Sequence, residues 1–158
     1  MTKFNQKHWS EIIVVLCVRW LGLIAILHIV GGLALSFDFP EKLWFEYRNE
    51  LMDVFNMSAS SNTGVVSLVK MLTQLFGPTI ASWGLLMLYL LNQVDAEKMA
   101  SHATVKAINT LIFATLIWFA LDSFISYKFN MMVHLAINSL AVIATLTPLI
   151  YLRLQKRG

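Results

Sequence analysis

A single cysteine, Cys17, is all the chain holds, so neither an intrachain disulfide nor a C-x-x-C redox centre is available. Charge is scarce too. Only 13% of the 158 residues are Asp, Glu, Lys or Arg, against roughly 25% in an ordinary soluble domain. There is no phosphate-cradling glycine loop, no H-E-x-x-H, no G-x-S-x-G and no C-x-x-C-H. These absences remove nucleotide-loop, zinc-protease, α/β-hydrolase and c-type haem chemistry as read from motifs. The net charge of +3 is divided among termini and loops and forms no basic face for nucleic acid. Asp122, Ser126 and His134 supply the residue types of a hydrolase, but no oxyanion elbow accompanies them and their spacing follows from a hairpin.

What fills the chain instead is hydrocarbon: 58% of its residues are hydrophobic, above the roughly 45–50% of soluble domains. That composition defines an integral membrane protein. A spanning helix needs about 20 mostly apolar residues, and four stretches qualify: 12–35, 68–91, 104–125 and 131–152. The first is longer than the about 7–15 apolar residues of a secretory signal and no small-residue cleavage site follows it, so it is expected to remain as an anchor. Short connections at 92–103 and 126–130 force spans two, three and four to pack as antiparallel neighbours. The expected fold is all-α: one polytopic membrane four-helix bundle forming a single domain over residues 1–158, with an amphipathic surface helix in the long first loop, 36–67.

Basic residues set the orientation. Lys3, Lys7, Lys98, Lys106, Arg153, Lys156 and Arg157 lie at the termini and second loop, whereas the first loop is acidic, with Asp38, Glu41, Glu46, Glu50 and Asp53. Both termini are therefore expected in the cytoplasm of a bacterial inner membrane, with loop 36–67 facing outward. In that loop Trp44, Tyr47, Leu51 and Phe55 recur at helical spacing between charges. Such a helix lies on the membrane surface; the same face is a docking site for another membrane protein on the sharper reading. The MSASSNTG stretch that follows reads as a flexible connector, and Asn56, immediately before it, begins a chance glycosylation triplet.

Ionisable residues inside apolar spans mark functional sites or helix clasps. Counting about 1.5 Å per residue from each apolar border, Lys70, Asp122 and His134 fall roughly 3–6 Å inside the outer border, and His28, Gln74 and Asn138 roughly 10 Å inside. These six residues, drawn from all four spans, form the candidate ligand-binding cavity. Their helical faces agree. His134, Asn138, Ala141, Thr145 and Pro148 form one stripe, Lys70, Gln74, Gly77 and Ala81 a second, and Leu21, Ala25, His28 and Gly32 a third. Pro78 is expected to kink span two near Gln74. Asp122 is read as counter-ion to Lys70 or His134, and the bland reading beside it is a neutralising clasp between helices. Arg19, on the face of span one opposite His28, is assigned to lipid headgroups, with Asn92 or Gln93 as alternative partners. His8 and His102 lie in wet segments, and Cys17 reads as an inert buried thiol.

Three functions share these residues: small-ligand binding or assistance to a larger membrane complex as an accessory subunit; electron transfer, with His28 and His134 holding haem b or contacting a quinone; and a small-solute or proton transporter working as a homo-oligomer. No catalytic and no metal-binding residue is assigned.

The run IWFALDSFISYKFNMMVHLAINSLAVIATLTPL, with Trp118, Asp122, Ser123, Asn138, Pro148 and Leu149, resembles the final hairpin of DoxX-like and BphX-like bacterial membrane proteins. The PTIASWGLLMLY segment of span two, with Trp83 and Gly84, is similar to the same group. The resemblance implies a four-helix membrane fold and a link to oxidoreductase complexes. The acidic first loop and Lys70 have no counterpart in it.

Overall fold

Spans of this composition form helices because each backbone N–H and C=O then finds its partner inside its own segment. The computed structural model describes residues 3–41, 45, 48, 49, 52, 53, 63–95 and 97–155, with side chains from residue 11 onward. Four long helices follow in order: α1 (Lys3–Ser36), α2 (Thr63–Leu91), α3 (His102–Lys128) and α4 (Met132–Leu154). There is no strand among the described residues. All four helices are long and apolar enough to cross a membrane. Their outward faces are hydrophobic along their length, as at Leu27, Phe76, Leu85, Phe113, Leu121 and Leu140.

Two helix ends close in the same way. After α1, Asp38 takes φ 54°, the Asp38 amide donates to the Leu35 carbonyl and the Phe39 amide to the Ala34 carbonyl. After α3, Asn130 takes φ 57°, with Asn130 donating to Tyr127 and Met131 to Ser126. This paired bonding satisfies the last carbonyls of a helix and needs a left-handed residue. Short polar Asp and Asn tolerate that conformation where glycine is absent. Because α3 runs to Lys128, only residues 129–131 separate it from α4, so the turn lies beyond the expected 126–130.

The α2–α3 loop is held from within. The fully buried Thr104 hydroxyl donates to the Gln93 carbonyl at 3.1 Å. It accepts from the Asp95 amide at 3.1 Å and from the Ser101 hydroxyl at 2.9 Å. Ser101 in turn caps α3 through the Thr104 amide. Thr104→Ala strands the Gln93 and Asp95 groups and is expected to cost about 1–3 kcal/mol, read as a lower melting temperature by circular dichroism in detergent. An unchanged melt would mean that water substitutes for the hydroxyl.

The helices pack chiefly as two pairs, α1 on α2 and α3 on α4, with slighter α1–α4 and α2–α3 contacts completing a ring. The aliphatic core gathers Leu21, Met87, Ile108, Leu111, Leu149 and Leu152, all in the half nearer the two termini. From the middle of the bundle toward the α1–α2 loop, α1 and α2 meet through small residues. A Cβ on Gly32 would stand 2.5 Å from the backbone nitrogen of Ala81, and one on Gly84 2.5 Å from the Ala25 carbonyl. On α3, by contrast, each turn from Thr104 to Thr115 buries a residue, and none between 116 and 125 is buried. The two helix pairs are thus joined at the terminal end and more thinly covered toward the loop end.

The expected surface helix over Trp44–Phe55 lies mostly outside the described residues. Residues 41, 45, 48, 49, 52 and 53 are helical, with Arg48 and Met52 buried and Phe45 exposed. An open groove beside them is lined by Asp38, Phe39, Pro40, Glu41 and Phe45.

Candidate functional site

Asp122 occupies the inward stripe of α3, in register with Thr104, Ile108, Leu111, Thr115 and Ser126. Four residues on, Ser126 turns its hydroxyl back to the Asp122 carbonyl at 2.8 Å, a bond that keeps that hydroxyl occupied within its own helix. The tight Phe129–Met131 connection then brings the first turns of α4 alongside. His134 Nε2 lies 3.1 Å from Asp122 Oδ2, and Asn138 Nδ2 donates to the same oxygen. Because a carboxylate only accepts, His134 presents its Nε2–H to Asp122. The Asp122 and His134 side chains are 29% and 24% exposed, and Asn138 is 4% exposed. Two further hydroxyls nearby, Thr115 Oγ1 and Ser123 Oγ, are buried without a hydrogen-bond partner among the described residues.

The other expected members of the cavity separate into levels. Trp20 Nε1 donates to the Ala144 carbonyl at 3.0 Å, which fixes α1 against α4. Pro148 lies four residues after Ala144 inside α4 and has no N–H to occupy that carbonyl, so the indole supplies the missing donor. From this common level, about 1.5 Å per residue places Asn138 about 9 Å, His28 about 12 Å and His134 about 15 Å toward the loop end. His28 therefore shares the height of the Asp122 cluster, on a helix of the other pair. Its Cβ faces Gly84 of α2, and Nδ1 lies 2.8 Å from the Ile24 carbonyl. A carbonyl only accepts, so Nδ1 carries the proton and Nε2 of the neutral ring keeps its lone pair. A haem clamp by both imidazoles through Nε2 would require His134 to leave Asp122.

Lys70 and Gln74 do not share that height. Gly84 stands opposite Ala25, and counting along α2 from there sets Gln74 about 10 Å beyond His28 and Lys70 about 13 Å beyond His134. The reason is axial register. α2 begins at Thr63, ahead of the expected 68, and Gly32, Gly77 and Gly84 fix where it slides against α1. Lys70 is paired instead with Asp38, Nζ to Oδ2 at 2.7 Å, and Arg48 binds the other oxygen of the same carboxylate. Burial alone would raise the Asp38 pKa; the hydrogen bonds and charges of Lys70 and Arg48 outweigh it and hold the carboxyl below its ordinary value. Sequence reading missed Asp38 because it stood among several loop acids. The usable signal was its place just past the end of α1, where an Asp can take the left-handed cap.

Arg19 is exposed, with no ion-pair partner among the described residues. His102 is exposed at the start of α3 and the His8 side chain lies outside the described residues. Cys17 is partly buried against the aliphatic core. The chain matches no protein-family model, no curated protein and no solved structure.

Proposed function

We propose that this is a small multi-pass protein of a bacterial inner membrane, with both termini cytoplasmic, that binds a small ligand or assists a larger membrane complex. The site is the cluster Asp122, His134 and Asn138, with His28 of α1 at about the same height by residue count. Lys70 and Gln74 stand about 10–13 Å further toward the loop end. One observation carries the reading: an imidazole and an amide converge on one oxygen of the Asp122 carboxylate, inside the apolar lengths of α3 and α4 and close to their joining turn. Such groups are costly in hydrocarbon and are kept where they bind, pair or relay. The likeness of this hairpin to DoxX-like proteins belongs to the same proposal, and so does the lipid contact of Arg19.

The test is retention of a native small molecule. Parent protein and an Asp122→Asn, His134→Gln double variant are extracted in polymer-bounded native membrane discs and compared by mass spectrometry, with helicity checked by circular dichroism. A compound held by the parent and lost from a normally helical variant is the expected result. Identical small-molecule content in the two would remove the ligand-site reading. Optical spectra of the parent and of His28→Ala and His134→Ala variants read the haem alternative directly, as a Soret band present in the first and lost in the others.

A further inference from the structure

Resting on the reading just given, we infer that the Asp122 site takes a lipophilic organic cation, with the carboxylate as its counter-charge. A carboxylate inside an apolar span, here roughly 3–6 Å from its border by residue count, is favoured when a counter-charge meets it. The fixed cation expected for the task, Lys70, is committed to Asp38 about 13 Å further along the bundle. Among the described residues the groups bonded to Asp122 are Asn138, which is neutral, and His134, which is charged only when protonated. While the imidazole is neutral the cluster carries one uncompensated negative charge.

The geometry leaves that charge reachable. Both hydrogen bonds to the carboxylate fall on Oδ2, and the side chain keeps 29% of its surface open. No residue of α3 between 116 and 125 is buried, so the helix offers an open flank there. Trp118 lies one turn from Asp122 on the same face and is 38% exposed. An indole beside a carboxylate suits an organic cation, whose charge is attracted to the ring face and whose body tolerates an apolar wall. Thr115, two turns from Asp122 on this stripe and only 3% exposed, has a hydroxyl with no partner among the described residues. A bare metal ion fits less well, since among the described residues no three His, Cys, Asp or Glu side chains gather, and hard cations ask for six or so oxygen ligands.

The experiment uses the purified full chain in mild detergent. Tetraphenylphosphonium is the cationic probe and triphenylphosphine oxide a neutral one of similar bulk, both followed by equilibrium dialysis and tryptophan fluorescence. Asp122→Asn is expected to weaken phosphonium binding by about tenfold or more and Trp118→Leu by a few-fold, whereas Asp122→Glu, which keeps the charge, retains it. The neutral oxide is expected to ignore Asp122→Asn. If Asp122→Asn loses helicity, Asp122→Glu and Trp118→Leu decide the matter. Phosphonium binding that is equal in all variants overturns the inference. If the oxide alone responds to Asp122→Asn, the site binds a ligand and the cation assignment falls. If neither probe responds, the cation assignment falls, and the site reading falls with it only where the double variant also keeps the parent's native small molecules.

Discussion

Gly32→Ala, a single added methyl group, is expected to separate α1 from α2 and to cost at least about 3 kcal/mol, the upper part of the range for overpacking a filled site. The atoms that the methyl would meet are Ala81 N at 2.5 Å, Gly77 O at 2.5 Å and Ala81 Cα at 3.0 Å. All three are backbone. They cannot swing aside as a side-chain terminus does, so the helices themselves must part. Parting them also disturbs Gly77, which packs on Ser36 and Gly32, and Gly84, which packs on Ala25. In an apolar surround the hydrophobic effect does not drive helices together, and close packing of small residues is what holds them. The chain provides its own control. Added Cβ atoms at Gly22 and Gly31 meet nothing within 4 Å, and alanine is the better helix former by about 0.8–1 kcal/mol. Gly22→Ala and Gly31→Ala are therefore expected to be neutral or mildly stabilising. Thermal unfolding of the three variants in one detergent checks the ranking; equal melting temperatures would show that the α1–α2 contact contributes little.

Asp38→Asn carries the second large effect. The Asp38 and Arg48 side chains are each 8% exposed, and removing one member of a buried pair leaves an uncompensated charge, a loss of about 3–5 kcal/mol. Lys70, at 43% exposed, is the weaker partner, and Lys70→Met is expected to cost about 1 kcal/mol or less. The expected consequence is local: the segment around Arg48 leaves the loop end of α1 and α2 while the four long helices persist. Tryptic cleavage after Arg48 at neutral pH reports it, slow in the parent and in Lys70→Met, fast in Asp38→Asn. Similar rates in all three proteins would mean that the carboxylate does not hold the segment. Acid should reproduce the variant. Because the folded pKa of Asp38 is lowered, its stabilisation is complete above the ordinary carboxylate value of about 3.9. It is lost as pH falls through the lower folded value, while Arg48 and Lys70 stay charged throughout. Hydrogen exchange around Arg48 is expected to rise over that acidic interval and to stay flat above it.

Much of the inward-facing surface was legible residue by residue. The stripe His134, Asn138, Ala141, Thr145 and Pro148 reads directly from 3.6-residue periodicity, and in the fold Asn138, Thr145 and Pro148 are buried. Leu21, Ala25 and Gly32 on α1 and Gly77 and Ala81 on α2 are buried as their spacing required. The meeting of Asp122 with His134 was also legible, because a three-residue turn admits few registers between two helices. Lys70 was misplaced because its depth was counted from the apolar border of its own span, which assumes that all four helices end flush. Asp38 escaped notice because its role depends on one left-handed residue that lifts the chain over the end of α1. Trp20 reads as an ordinary membrane aromatic; only the neighbouring helix reveals that its indole serves the carbonyl left open by Pro148.

Composition and periodicity, properties of each segment alone, determined that the chain makes four long apolar helices and which face of the first, second and fourth turns inward. The axial offsets between helices came from the tertiary structure, because they depend on where two backbones approach most closely. Glycines opposite Ala25, Ser36 and Ala81 set that closest approach, and no count along a single span contains it. Those offsets decide which charge meets which: Lys70 is drawn to Asp38, and Asp122 is left with His134 and Asn138 in the thinly covered half of the bundle.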